Sequence, residues 1–269
     1  MSAIERRESG RPEERTGPLS SGTLRAAART HRGTVRPDNQ DAFLCRPDLG
    51  LFAVIDGMGG QQAGRHAAEL TRAALLEALE PARGLAAANA LIRAEADTSV
   101  ELFGMGCVAS ALHIGDGIAH IAHVGDTRVY MAGDAGCEQL TRDHTVAASE
   151  QERLGLSHTR AGDLPGRNQV TRDLGGRHRE GEAWIDRLEV RLEHGALLLL
   201  CSDGLPTAVG ADELFQRLRE SRRAGSPPEE LADALITRAL ERGARDNVTA
   251  VVVRQEGEIP PAPPRRVDA

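Results

Sequence analysis

Three apolar runs in this chain break off at an aspartate, and this limits the possible folds more than any other feature. They are Val54-Ile55-Asp56-Gly57, Leu200-Cys201-Ser202-Asp203-Gly204 and Asp246-Asn247-Val248-Thr249. The apolar parts read as buried strands, so each Asp sits at the rim of a sheet where the backbone holds it rigidly. A carboxylate in such a place is costly unless it is paired, hydrogen-bonded or bound to a cation. Any one Asp-Gly pair alone reads as a turn; the set of three is poorly explained that way. Three acids with few bases beside them repel one another, and divalent cations would relieve that repulsion. The donors are oxygens, without a His-rich or Cys-rich set, which suits Mg²⁺ or Mn²⁺ better than Zn²⁺.

The 269 residues suit one large domain or two small ones. Aromatic residues make up 2% of the chain, so the expected core is aliphatic. No run of eighteen apolar residues marks a membrane span, and the first residues, Met1-Ser2-Ala3-Ile4-Glu5-Arg6-Arg7, lack the apolar stretch of a signal peptide. The expectation is a cytoplasmic protein without membrane insertion. A net charge of -7 gives no footprint for nucleic acid. All 33 basic residues are Arg, which excludes lysine Schiff-base chemistry and a P-loop lysine. The four cysteines, Cys45, Cys107, Cys137 and Cys201, are widely spaced and read as small buried thiols. Cys201 lies in an apolar run with no adjoining base, a poor setting for a nucleophile.

Residues 1–24 are polar and aperiodic and read as a flexible arm; residues 255–269, with Pro260-Pro261 and Pro263-Pro264, read as an extended tail. Between them, 25–254 shows no linker. Strands are expected at 25–29, 41–45, 51–55, 107–114, 118–124, 128–132, 196–201 and 248–253. Helices are expected at 63–80, where Pro81 is read as a stop, and at 85–98, 145–154, 212–219 and 228–242, with Ser226 as a cap. Short connections such as Gly115-Asp116-Gly117 favour antiparallel pairing, and the order of elements is not a regular βα repeat.

A second cluster, Gly33-Thr34-Val35-Arg36-Pro37-Asp38-Asn39-Gln40-Asp41, places an Arg near an acid. Alone it reads as a solvated loop; beside metal-binding carboxylates, Arg36 suits bidentate capture of a phosphate. Taken in order, Gly33-x-x-Arg36-x-x-Asn39-Gln40-Asp41, Asp56-Gly57-Met58-Gly59-Gly60, Gly104-Met105-Gly106, Gly125-Asp126-Thr127-Arg128-Val129-Tyr130, Leu140-Thr141-Arg142-Asp143-His144-Thr145, Asn168-x-Val170-Thr171-Arg172, Ser202-Asp203-Gly204-Leu205 and Asp246-Asn247-Val248-Thr249 resemble the metal-dependent Ser/Thr protein phosphatases of the PP2C type in their compact bacterial form.

That resemblance spans about residues 25–254. It implies an α+β fold, a four-layer α-β-β-α sandwich of two central antiparallel sheets flanked by helices. It implies two core Mn²⁺ or Mg²⁺ ions and a third, weaker site. Asp56 resembles the bridging ligand, Gly57 a carbonyl ligand, Asp203 and Asp246 further core ligands, and Asp143 a ligand of the third ion. Asp41 would orient water and Arg36 would hold phosphoryl oxygens. Residues 144–167 correspond to the family's flap beside the substrate cleft. The implied reaction is hydrolysis of phosphoserine and phosphothreonine by a hydroxide shared between two ions about 4 Å apart. The implied partners are phosphorylated proteins and a cognate Ser/Thr kinase, for a monomeric enzyme; a dedicated phosphatase of one regulatory phosphoprotein, of the anti-sigma-antagonist type, and a silent phosphoprotein-binding module are the alternatives. The chain departs from the family pattern at His31, where many bacterial members have Asp, at Cys107-Val108 in place of two threonines, and at Met58, where eukaryotic members have His.

Overall fold

The computed structural model describes residues 14–16, 19–21, 23–154, 166, 169–176 and 180–257. In chain order it begins with strands β1 (Glu14–Arg15), β2 (Leu19–Ser21), β3 (Leu24–His31), β4 (Asp41–Arg46) and β5 (Leu51–Met58). Helices α1 (Gln61–Ala78) and α2 (Pro81–Ala96) precede β6 (Gly106–Gly115), β7 (Ile118–Val124), β8 (Arg128–Gly133) and β9 (Gly136–Gln139). Then come α3 (Val146–Leu154), β10 (Asp186–Arg191), β11 (Leu197–Cys201), α4 (Gly204–Val209), α5 (Ala211–Ala224), α6 (Pro228–Glu241) and β12 (Val248–Gln255).

The strands form two antiparallel sheets. One runs β1-β3-β12-β11-β8-β9, with β2 also on β3; the other runs β10-β7-β6-β5-β4. Period-two alternation sorts the side chains into layers. Leu51, Ala53 and Ile55 of β5 face α1 and α2, whereas Phe52 and Val54 face the other sheet. In the same way Leu197 and Leu199 face α4, α5 and α6, while Leu198 and Leu200 join the core between the sheets. The result is the expected α+β sandwich, helices outside and two sheets within. Its core is mostly aliphatic; Phe52 and Tyr130 are the aromatic side chains among the largest fully buried ones. Among the described residues no helix is long and apolar enough to cross a membrane.

Three local expectations need correction. Pro81 does not stop the first helix, which ends at Ala78; it opens α2, where its missing N–H costs nothing and Glu80 accepts from Ala82 N and Arg83 N. Ser226 does not cap α6, since Pro227 holds that position. Strands β9 and β10 were not expected. Within the stretch read as an arm, β1 and β2 pair with β3. Residues 155–165 and 167 of the expected flap, including Gly155 and Gly162, lie outside the described residues.

Candidate metal centre

The alternation that builds the apolar core also builds the site. Along the faces that meet between the sheets, Val54 is followed by Asp56 on β5, Leu200 by Ser202 after β11, Val251 is preceded by Thr249 on β12, and Ala28 is followed by Thr30 on β3. At one end the seam between the sheets therefore turns polar. Asp41 and Asp56 stand directly opposite in the β4–β5 ladder, where like charges destabilise. Asp203 and Asp246 lie just beyond, after β11 and before β12.

A cavity of about 490 Å³ opens there. Arg36, Asp56, Gly57, Asp203 and Asp246 all line it, so five of the seven expected site residues share one wall. Asp41 lies immediately behind Asp56. Its Oδ2 accepts from Ser202 Oγ at 2.7 Å and Thr249 Oγ1 at 2.5 Å, while its Oδ1 is buried without a hydrogen-bond partner among the described residues. Asn247 ties the loop bearing Arg36 to β12: its Oδ1 accepts from Gln40 N, and its Nδ2 donates to the carbonyls of Arg32 and Asp38. Gly57 is required by close approach, since a Cβ there would meet the Gly64 carbonyl oxygen at 2.2 Å.

The electrostatics are those of an uncompensated acidic cluster. Burial pushes Asp41 up to about 7 despite its hydroxyl donors, and the charges of Asp203 and Asp246 add to the rise. Asp56 is held well above the carboxylate range by burial and then by Asp41, Asp203, Asp126 and Asp246. Asp203 is raised by burial and by Asp246. Arg36 donates to Asp246 Oδ2 at 2.7 Å, which raises the guanidinium.

Asp143 is not brought to the cavity wall. Arg128 binds both its oxygens, Nε at 2.9 and 3.0 Å and Nη2 at 2.6 Å, and Gln139 donates to it as well. A carboxylate so fully paired is a poor candidate for a third ion. Asp126 lines the cavity instead, pushed up to about 7 by burial and then by Asp203 and Asp143. Like Asp56 it stands at the end of an apolar strand, although Gly125 separates it from Val124. His123 and His144 do not line the cavity, and Cys201 is fully buried with its thiol pushed up to about 12. His31 accepts from Gly33 N at 2.9 Å, a loop-holding contact.

These residues fit divalent cations. Among the described residues the lining offers carboxylates and backbone but no thiolate or imidazole. The buried, unpartnered Asp41 Oδ1 and the mutual repulsion of the acids both call for positive charge. Among the described residues, no three His, Cys, Asp or Glu side chains close around a single point. Ions here would therefore complete their ligand sets with carbonyl oxygen and water, as Mg²⁺ characteristically does.

Comparisons with known proteins give the family. The protein phosphatase 2C family matches residues 29–248. The chain belongs to that family. The serine/threonine protein phosphatase PstP of Mycobacterium tuberculosis is 34% identical over 239 residues, 85% of this chain but 44% of the relative. The chain thus spans less than half of that protein. The serine/threonine phosphatase stp of Listeria monocytogenes is 31% identical over 250 residues, covering 87% of this chain and 96% of the relative. Among solved structures, the catalytic domain of PstP in complex with two manganese ions superposes with a TM-score of 0.76 at 30% identity, over 87% of this chain and 99% of that one. The fold and family membership are those of a metal-dependent Ser/Thr phosphatase.

Proposed function

We propose that this chain hydrolyses phosphoserine and phosphothreonine in proteins, with a catalytic unit at residues 25–254. Asp56, Gly57, Asp203 and Asp246 would hold two Mn²⁺ or Mg²⁺ ions. When bound, such ions lower the pKa of a water they share and neutralise phosphoryl charge. The observation that carries the reading is the cluster of carboxylates lining one cavity without matching cations among the described residues, beside an Arg at its mouth. The guanidinium of Arg36 is half exposed, and its bond to Asp246 uses one of five N–H donors. The rest can receive phosphoryl oxygens as a fork, which orients the ester and offsets charge as the P–O bond breaks. Asp41, rigid behind Asp56, has an unused oxygen with which to orient a water. Asp126, whose pKa the nearby charge of Asp203 helps to raise, suits a third, weaker ion together with Asp203 better than Asp143 does. The proposed partners are phosphorylated proteins and a Ser/Thr kinase whose action the enzyme opposes, and the proposed state is monomeric.

The test is release of phosphate from a phosphothreonine peptide with Mn²⁺, with Mg²⁺ and with EDTA, repeated on Asp246→Asn. Metal-dependent turnover that the substitution removes is the expected result. Equal turnover in EDTA would overturn the two-ion reading.

A further inference from the structure

Asp126 is the middle residue of a three-residue turn between β7 and β8, and the residues on either side of it are held by two imidazoles whose centroids lie 4.8 Å apart, tilted by 38°. On one side His144 N donates to the Gly125 carbonyl at 2.7 Å, and Gly125 N donates to His144 Nδ1 at 3.0 Å. On the other, Thr127 Oγ1 lies 2.8 Å from Ser110 Oγ, which lies 2.9 Å from His123 Nδ1. The accepted bond at Nδ1 puts the proton of His144 on Nε2, from which it is donated to Asp186 Oδ2 at 3.0 Å. Arg172 holds the other oxygen of Asp186 at 2.6 Å. Gly125 has no room to escape: its φ is +102°, and a Cβ there would lie 2.1 Å from Val108 Cγ1. The turn is thus clamped between Val108 and the ring of His144.

We infer that His144 is a positioning residue for Asp126: its ring, oriented by Asp186 and Arg172, fixes the Val124–Gly125 peptide, its backbone N–H holds the Gly125 carbonyl, and together they aim the Asp126 carboxylate into the metal cavity. The inference rests on the phosphatase reading and adds to it a residue outside the cavity. Each ring nitrogen of His144 already serves a bond in this clamp, so its chemistry here is directional and not proton transfer. An error of about 1 Å in such a carboxylate is enough to slow a reaction up to 10²-fold. Partners one step removed from a metal ligand typically cost 10- to 100-fold when removed.

The experiment compares His144→Ala, His144→Asn and His144→Gln in the full chain, assayed with Mn²⁺ on a phosphothreonine peptide, with folding checked by circular dichroism. Asn keeps an acceptor near the position of Nδ1; Gln keeps a donor near Nε2 but loses that acceptor. The expected result is a kcat about tenfold lower for Ala and for Gln, KM within about twofold, and recovery to within about threefold by Asn. If Ala does not fold, the Asn–Gln pair decides alone. Rescue by Gln and not by Asn overturns the inference. So does Asp126→Asn/His144→Ala if its loss is the product of the two single losses, since the two residues are argued to act as one. Full activity of Asp126→Asn also overturns it, while leaving the phosphatase reading intact. Failure of that reading would show separately, as metal-independent turnover in Asp56→Asn.

Discussion

Asp143 and Asp56 lie near the same end of the sandwich, and the chain treats them in opposite ways. Asp143 has a bidentate Arg128, and the pair is largely shielded from water. Asp56 faces Asp41 across the ladder and feels Asp203, Asp126 and Asp246, with Arg36 reaching it only through space. In a chain with 33 arginines, leaving these acids together is not for want of bases. The difference separates a carboxylate held for the fold from a cluster held for a ligand. A paired acid lowers the energy of the folded chain, whereas the cluster raises it until cations arrive.

Exchanging each carboxylate for its amide is the strongest way to break the comparison. Asp56→Asn should lower Mn²⁺-dependent turnover at least about a thousandfold, because charge stabilisation by a metal is worth several kcal/mol. It should also raise the melting temperature of the EDTA-treated protein, since the repulsion goes with the charge. Asp143→Asn should do the reverse. Turnover per folded molecule stays within a few-fold, and stability to urea falls by about 3 kcal/mol, the lower end for a broken buried pair. Lost activity at unchanged stability in Asp143→Asn would erase the distinction and restore Asp143 as a ligand.

Arg36 stands between the two regimes, paired to Asp246 yet open to the cavity. Arg36→Ala should weaken kcat/KM about 10- to 100-fold, chiefly through KM, as expected for charge-assisted hydrogen bonds to the phosphoryl group. Steady-state kinetics on a phosphothreonine peptide check it. An unchanged kcat/KM would make the Arg36–Asp246 pair structural, like that of Asp143.

What could be read in the sequence follows from the same physics. Asp56, Asp203 and Asp246 were legible because each interrupts an apolar run, and burial makes such an interruption expensive. The central strands were legible for the same reason: Leu197–Cys201 and the run Ala250–Val253 within Val248–Gln255 are apolar on both faces because both are covered. Strands β9 and β10 were not. They are edge strands whose residues are alternately exposed, and charged residues dilute their pattern. The Asp143–Arg128 pair was hidden because it depends on how β9 and the residues after it return along β8, a register that no local pattern announces. Pro81 misled because proline both ends helices and begins them; only the Glu80 cap decides.

The smallest predicted effect lies in pH. The folded-state values of Asp41 and Asp126, about 7, lie above the ordinary carboxylate value of the unfolded chain. Between the two, the folded protein binds more protons, so their contribution to stability is present at low pH and is lost as pH rises through about 7. His123 works the other way. Burial and the neighbouring His144 push it down to about 4, so the unfolded chain binds more protons between about 6.5 and 4, and stability is lost as pH falls through that window. From pH 8 to pH 6 each acid gains roughly 1 kcal/mol, and His123 gives back somewhat less than that. The EDTA-treated protein should therefore melt higher at pH 6 than at pH 8, and Asp126→Asn should reduce the rise by roughly 1 kcal/mol. Saturating Mn²⁺ should cancel it, because protons then compete with the ion for the same oxygens. A melting temperature that falls from pH 8 to pH 6 in EDTA would mean that the acids are compensated after all, and the contrast with Asp143 would collapse.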